Sequence, residues 1–219
     1  MNNKIEVPGE SHLACVLLLD TSGSMSGESI RSLNEGVKKF VDQVSQDELA
    51  KLRLDVAIVE FNDHARVVQD FLPIASMTGP TLSAGGLTHM GEGIKEAVRL
   101  VKERNLLYAT KGTPAHMPWI FMITDGRPEG EAANHIEEAI ELVQREEKKS
   151  KLKFWSLAVD NADKTVLHRL SQRVFDMSGH DFAGIFDWMA ESMSYISVSR
   201  PDADPDYAPL PQNVVPSQW

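Results

Sequence analysis

The sequence predicts an α/β fold: a doubly wound, mostly parallel six-stranded sheet in the order 3-2-1-4-5-6, with strand 3 antiparallel at one edge and helices on both faces. Three observations carry that reading. Residues 13–19 form a short, almost wholly apolar run that stops at Asp20, the pattern of a strand buried on both sides of a parallel sheet. A second run, residues 119–124, stops in the same way at Asp125-Gly126. Around them, strand-like runs alternate with apolar spacings of three and four, giving β-α-β-β-α-β-α-β-α.

After the first strand, Ile30, Leu33, Val37, Phe40, Val41 and Val44 mark one face of a helix over residues 27–46. Residues 52–61 and 66–72 read as strands joined by Asn62-Asp63-His64-Ala65. That turn is too short for a crossover helix, so the two form an antiparallel hairpin at the sheet edge. Ile94, Ala97, Val98 and Val101 place a helix at 91–104, followed by a loop over 105–118 with a glycine and two prolines. Ile136, Ala139, Ile140 and Val143 mark the next helix, whose charged end at 145–149 is a solvated face. Residues 152–159 are the fifth strand, Val166, Leu167 and Leu170 a short helix, and 173–177 the sixth strand. Phe182, Ile185, Phe186, Met189 and Met193 line a last helix as core. The domain spans 12–200, between an amino-terminal extension (1–11) and a Pro-rich extended tail (201–219). Tyr207 and Trp219 are the tail's candidate docking residues. Asp202, Asp204 and Asp206 do not make a calcium loop, because the required glycine and glutamate positions fall on Tyr207 and Asn213.

At 219 residues the chain suits a single domain. With 32 Asp and Glu against 22 Lys and Arg, its net charge of -10 disfavours nucleic acid and anionic membrane as partners. The lone Cys15 lies within the first apolar run and allows no intrachain disulfide. The first ten residues are too polar for a signal peptide, and no run approaches the roughly 20 residues that span a bilayer. A cytoplasmic protein is expected.

In Asp20-Thr21-Ser22-Gly23-Ser24 three oxygen side chains alternate across a turn and can converge just before a helix, a set suited to a hard cation. The competing reading is helix capping, which Ser and Asp both favour, but a cap explains only one of the three. Ser83-Ala84-Gly85-Gly86-Leu87-Thr88 presents a threonine hydroxyl at the head of another helix, and Thr124-Asp125-Gly126 ends the fourth strand. In the predicted strand order the first and fourth strands are neighbours where the winding reverses, so Asp20 and Asp125 share the crevice in which such sheets bind ligands.

The order Asp-x-Ser-x-Ser, Gly-x-Thr, Thr-Asp-Gly resembles the metal-ion-dependent adhesion site (MIDAS) of von Willebrand factor A (vWA) domains. Residues 17–28 and 123–128 are similar to the bacterial TerY-like, tellurite-resistance-associated members of that superfamily. The resemblance covers residues 12–200 and implies a vWA, Rossmann-like fold with Asp20, Ser22, Ser24, Thr88 and Asp125 as metal ligands. Leu87 and His89 differ from the small or polar residues usual beside that threonine. Oxygen donors without thiolate or imidazole suit Mg²⁺ or Mn²⁺. The hydroxyls being neutral, the ion keeps positive character, and the resemblance implies that a partner's Asp or Glu carboxylate completes its shell. It further implies a protein-binding role, without catalysis of its own, beside a protein phosphatase or kinase in a stress-response or defence set.

Two other functions fit parts of the sequence. A Mg-dependent phosphoryl-transfer enzyme would need a second Asp two residues after Asp20, where Ser22 stands. A metal-independent scaffold would keep the fold and use its helices. A nucleotide site is disfavoured, since Gly91-Glu92-Gly93 follows a loop and has Glu96 at the last glycine position. His64, His89, His116 and His180 are scattered and are read as surface or core.

Overall fold

The computed structural model describes residues 5, 9–159, 162–201 and 206–218. Its elements run β1 (Leu13–Asp20), α1 (Glu28–Val44), α2 (Ala50–Arg53), β2 (Leu54–Phe61), β3 (Ala65–Pro73), α3 (Met90–Lys111), β4 (Trp119–Thr124), α4 (Ala133–Lys148), β5 (Lys153–Val159), α5 (Lys164–Leu170), β6 (Val174–Met177), α6 (Ala183–Val198) and β7 (Val214–Pro216). They build one seven-stranded sheet in the order β3-β2-β1-β4-β5-β6-β7. β1 lies between β2 and β4 and is parallel to both. The β2–β3 hairpin is antiparallel at the edge, as the short turn requires.

Because side chains alternate along a strand, β1 feeds two cores. Leu13, Cys15, Leu17 and Leu19 meet Leu33, Val37 and Phe40 of α1 and Ile185, Phe186 and Met189 of α6. Ala14, Val16 and Leu18 meet Ile94 and Val98 of α3, Ile136 and Ile140 of α4 and Leu167 of α5. Burial pushes the Cys15 thiol well above its usual range, consistent with an inert core residue. On the first face, α1 and α6 approach closely because position 36 is glycine. A Cβ there would lie 2.5 Å from Phe186 Cδ2, and the Phe40 and Phe186 rings sit 5.8 Å apart.

Three features differ from the sequence reading. The expected six strands are seven, because Val214–Pro216 of the Pro-rich segment pairs antiparallel with β6. Upstream of that strand, Trp188 Nε1 donates to Ala208 O at 2.7 Å and the Ala208 amide donates to Ser192 Oγ at 3.0 Å. Tyr207 packs among Trp119 and Trp155. Prolines hide such a strand from a search for periodicity, yet an edge strand tolerates them. α3 runs on to Lys111 rather than stopping near 104, since its next inward positions are Arg104 and Tyr108, both buried. The polar Arg104 masks the apolar period there. The third difference is the short helix α2 ahead of β2. Trp219, Asp202, Asp204 and residues 1–4 and 6–8 of the amino-terminal extension lie outside the described residues.

Arg104 is held by a buried cluster at the end of the sheet opposite Asp20. Its Nη2 donates to Asp55 Oδ2 at 2.9 Å, Tyr108 Oη donates to the same oxygen, and His12 Nδ1 lies 3.0 Å from it. All four residues are at most 1% exposed. Burial alone would raise the Asp55 carboxyl, but His12, Arg104 and Tyr108 together hold it below the usual carboxylate range.

Candidate metal centre

β1 and β4 end side by side in the middle of the sheet, so Asp20 and the Thr124–Asp125 pair emerge together at the carboxyl ends of these strands. Asp20 is wholly buried. Its Oδ1 accepts the Ser22 amide at 2.8 Å and its Oδ2 accepts the Thr124 hydroxyl at 2.6 Å. Burial pushes its carboxyl up to about 6, with the Asp125 charge adding to the rise, although the hydrogen bonds from Ser22 and Thr124 pull the other way.

The serines do not cap a helix. A 3₁₀ turn over Gly23–Met25 follows Ser22, α1 starts after Gly27, and neither start has a side-chain cap. Instead Ser22 Oγ lies 3.0 Å from Ser24 Oγ, and Ser24 Oγ donates to Asp125 Oδ1 at 2.7 Å. Thr88 arrives from the third segment. Its backbone forms an antiparallel bridge with Glu129, with N···O distances of 3.1 and 3.0 Å, and the residue is 5% exposed. Gly126 lies against both Thr88 and Asp20. A Cβ built on it would lie 3.4 Å from Asp20 Oδ2 and 3.5 Å from Thr88 Oγ1, so both oxygens border one point.

Backbone bonds lock the three segments together. The Gly23 amide donates to Gly86 O at 3.0 Å, the Gly85 amide to Thr21 O at 2.9 Å, and the His89 amide to Asn62 O at 2.8 Å. α3 begins without a cap of its own. The Glu131 carboxylate serves it from the next loop, accepting the Gly91 and Glu92 amides at 2.7 and 3.3 Å.

These residues are a donor set of two carboxylates and three hydroxyls. Adjacent oxygens in an octahedron with metal bonds of about 2.1 Å are separated by roughly 3 Å. The Ser22–Ser24 and Ser24–Asp125 contacts of 3.0 and 2.7 Å match that spacing, so these three side chains have the separation, and the whole set the donor chemistry, that a small hard cation takes. Among the described residues no three His, Cys, Asp or Glu side chains gather as a metal cluster, and His180 is engaged by Ser29 at 3.0 Å. Sequence reasoning missed Thr124 and Glu131 as supports. Thr124 had a signal, since it ends β4 directly before Asp125. Glu131 had none, because its contact depends on how the 125–132 loop folds over α3.

A doubly wound sheet with an oxygen-lined crevice at the reversal of its winding defines a class of ligand-binding α/β domains. The von Willebrand factor type A domain profile matches residues 15–183, so the chain belongs to that family. No curated protein sequence matches it. Among solved structures it is similar to a von Willebrand factor type A protein from Catenulispora acidiphila, at 19% identity over 84% of this chain and 43% of that one, with a TM-score of 0.59. The PilB minor pilin from Streptococcus sanguinis aligns at 15% identity over 85% of this chain and 62% of its own, with a TM-score of 0.60. The vWF domain of the type V pili tip protein Mfa5 from Porphyromonas gingivalis aligns at 13% identity over 89% and 98%, with a TM-score of 0.62. The chain thus spans less than two thirds of the first two, and at these identities the likeness is one of fold. Among the described residues no helix is long and apolar enough to cross a membrane.

Proposed function

We propose that the chain is a divalent-cation-dependent protein-binding domain with a MIDAS-type site, working as an adaptor and not as a catalyst. Asp20 and Asp125 supply charge to Mg²⁺ or Mn²⁺, and Ser22, Ser24 and Thr88 supply neutral oxygens. When bound, the ion provides a positive centre that a carboxylate from a partner protein can complete. The observation that carries this reading is the run of oxygens from Ser22 through Ser24 to Asp125. It joins two distant loops at the spacing of a coordination shell, and the serines serve no helix. The absence of a second Asp at position 22 weighs against phosphoryl transfer. The similarity of residues 17–28 and 123–128 to TerY-like proteins supports a cytoplasmic role in bacterial stress response, with a phosphatase or kinase as partner.

A pull-down from native cytoplasm in Mg²⁺ or in EDTA, repeated with Asp20→Ala, tests the proposal. The expected result is a partner retained by the unaltered chain in Mg²⁺ and lost both in EDTA and with the variant. A partner retained under all conditions contradicts it.

A further inference from the structure

Thr88 is buried but its neighbour is not: Leu87 is 42% exposed on the rim of the oxygen site. It is also firmly seated. Its amide donates to Asp63 Oδ1 at 2.9 Å. The preceding Gly86 has φ 80°, and a Cβ there would lie 2.5 Å from Asp63 Oδ2. On the other side, a Cβ on Gly130, itself at φ 85°, would lie 2.5 Å from Leu87 Cδ1. Two glycines and a carboxylate therefore form a socket for the leucine's backbone and inner face while its outer face meets solvent. An apolar side chain already ordered loses little freedom when a partner covers it, so its burial contributes to binding. The surroundings have a different character. Asp63 and Glu129 are exposed nearby, with the exposed Arg127 two residues before Glu129, in a chain of net charge -10, and the two carboxylates beside Leu87 and Thr88 repel a run of acids.

We infer that Leu87 is the specificity-determining contact of this rim: the partner offers a single carboxylate with an apolar residue next to it in sequence, not an acidic stretch. The inference rests on the metal reading above. Adjacent residues of a partner have Cα atoms about 3.8 Å apart. A carboxylate held beside Thr88 thus puts the partner's next side chain within reach of Leu87. An acidic stretch gains nothing from Leu87 and meets Asp63 and Glu129.

The test uses the full chain and three fluorescent hexapeptides, in which one glutamate is flanked by leucines, by serines or by further glutamates, titrated in Mg²⁺ and in EDTA. The leucine-flanked peptide is expected to bind about tenfold more tightly than the serine-flanked one and to perturb the Leu87 methyl resonances. Leu87→Ser is expected to abolish that preference, and Leu87→Met to retain it. Metal-dependent binding with equal affinities, or a preference unchanged in Leu87→Ser, overturns this inference alone. Binding of the preferred peptide that survives EDTA and Asp20→Ala, or no binding of any peptide at millimolar concentration, overturns the metal reading with it.

Discussion

Asp20 carries an electrostatic cost at the carboxyl end of β1, a carboxylate without solvent beside a second carboxylate. Its folded pKa of about 6 stands above the ordinary 3.8, so between those values the metal-free folded chain holds a proton that the unfolded chain has released. The group therefore favours folding most at low pH, and this contribution is lost as pH rises through about 6. Expressed as the difference between the unaltered chain and Asp20→Asn, thermal stability without metal should rise as pH is lowered from 7 to 5. The stabilisation by Mg²⁺ should shrink over the same interval, because protonation competes with the ion. Thermal melts at the two pH values with and without Mg²⁺ check both signs. Thr124 is the residue that orients this carboxylate. Thr124→Val should weaken Mg²⁺ binding about tenfold or more by calorimetry, in line with the roughly 1–3 kcal/mol of a buried charged hydrogen bond. Thr124→Ser should restore most of it.

Among the elements, β1, β4 and the helix faces were legible because their chemistry is periodic: an apolar run ending at Asp20, another ending at Asp125, and α1 with Leu33, Val37 and Phe40 on one side. The five proposed ligand positions stand out in the sequence for a related reason, since each lies at or just beyond a strand end or at a helix start. What was hidden depends on tertiary partners. The last turns of α3 are buried through Arg104 and Tyr108, which a reader of hydrophobicity counts as surface. Arg104→Leu leaves Asp55 with His12 and Tyr108 alone, and should cost about 3–5 kcal/mol in urea unfolding. On the opposite face, Gly36→Ala forces a methyl against the Phe186 ring. That change should separate α1 from α6 and cost about 1–3 kcal/mol in the same measurement.

At the scale of the whole molecule, the 206–218 segment is part of the sheet and not an appendage. It covers the β6 edge with β7, places Tyr207 beside Trp119 and Trp155, and gives Trp188 its acceptor. A chain ending at Arg200 should melt at lower temperature, with red-shifted tryptophan emission, and should self-associate through the bared β6 edge on size-exclusion chromatography. The carboxyl ends of the central strands β1 and β4 bring three segments together around Asp20, Ser22, Ser24, Thr88 and Asp125. Anomalous scattering from crystals grown in Mn²⁺ tests that arrangement most directly. One manganese peak is expected among those five side chains, within coordination distance of their oxygens, and none in Asp20→Ala. A well-ordered crevice with no peak at millimolar Mn²⁺, or a peak bound elsewhere, would contradict it.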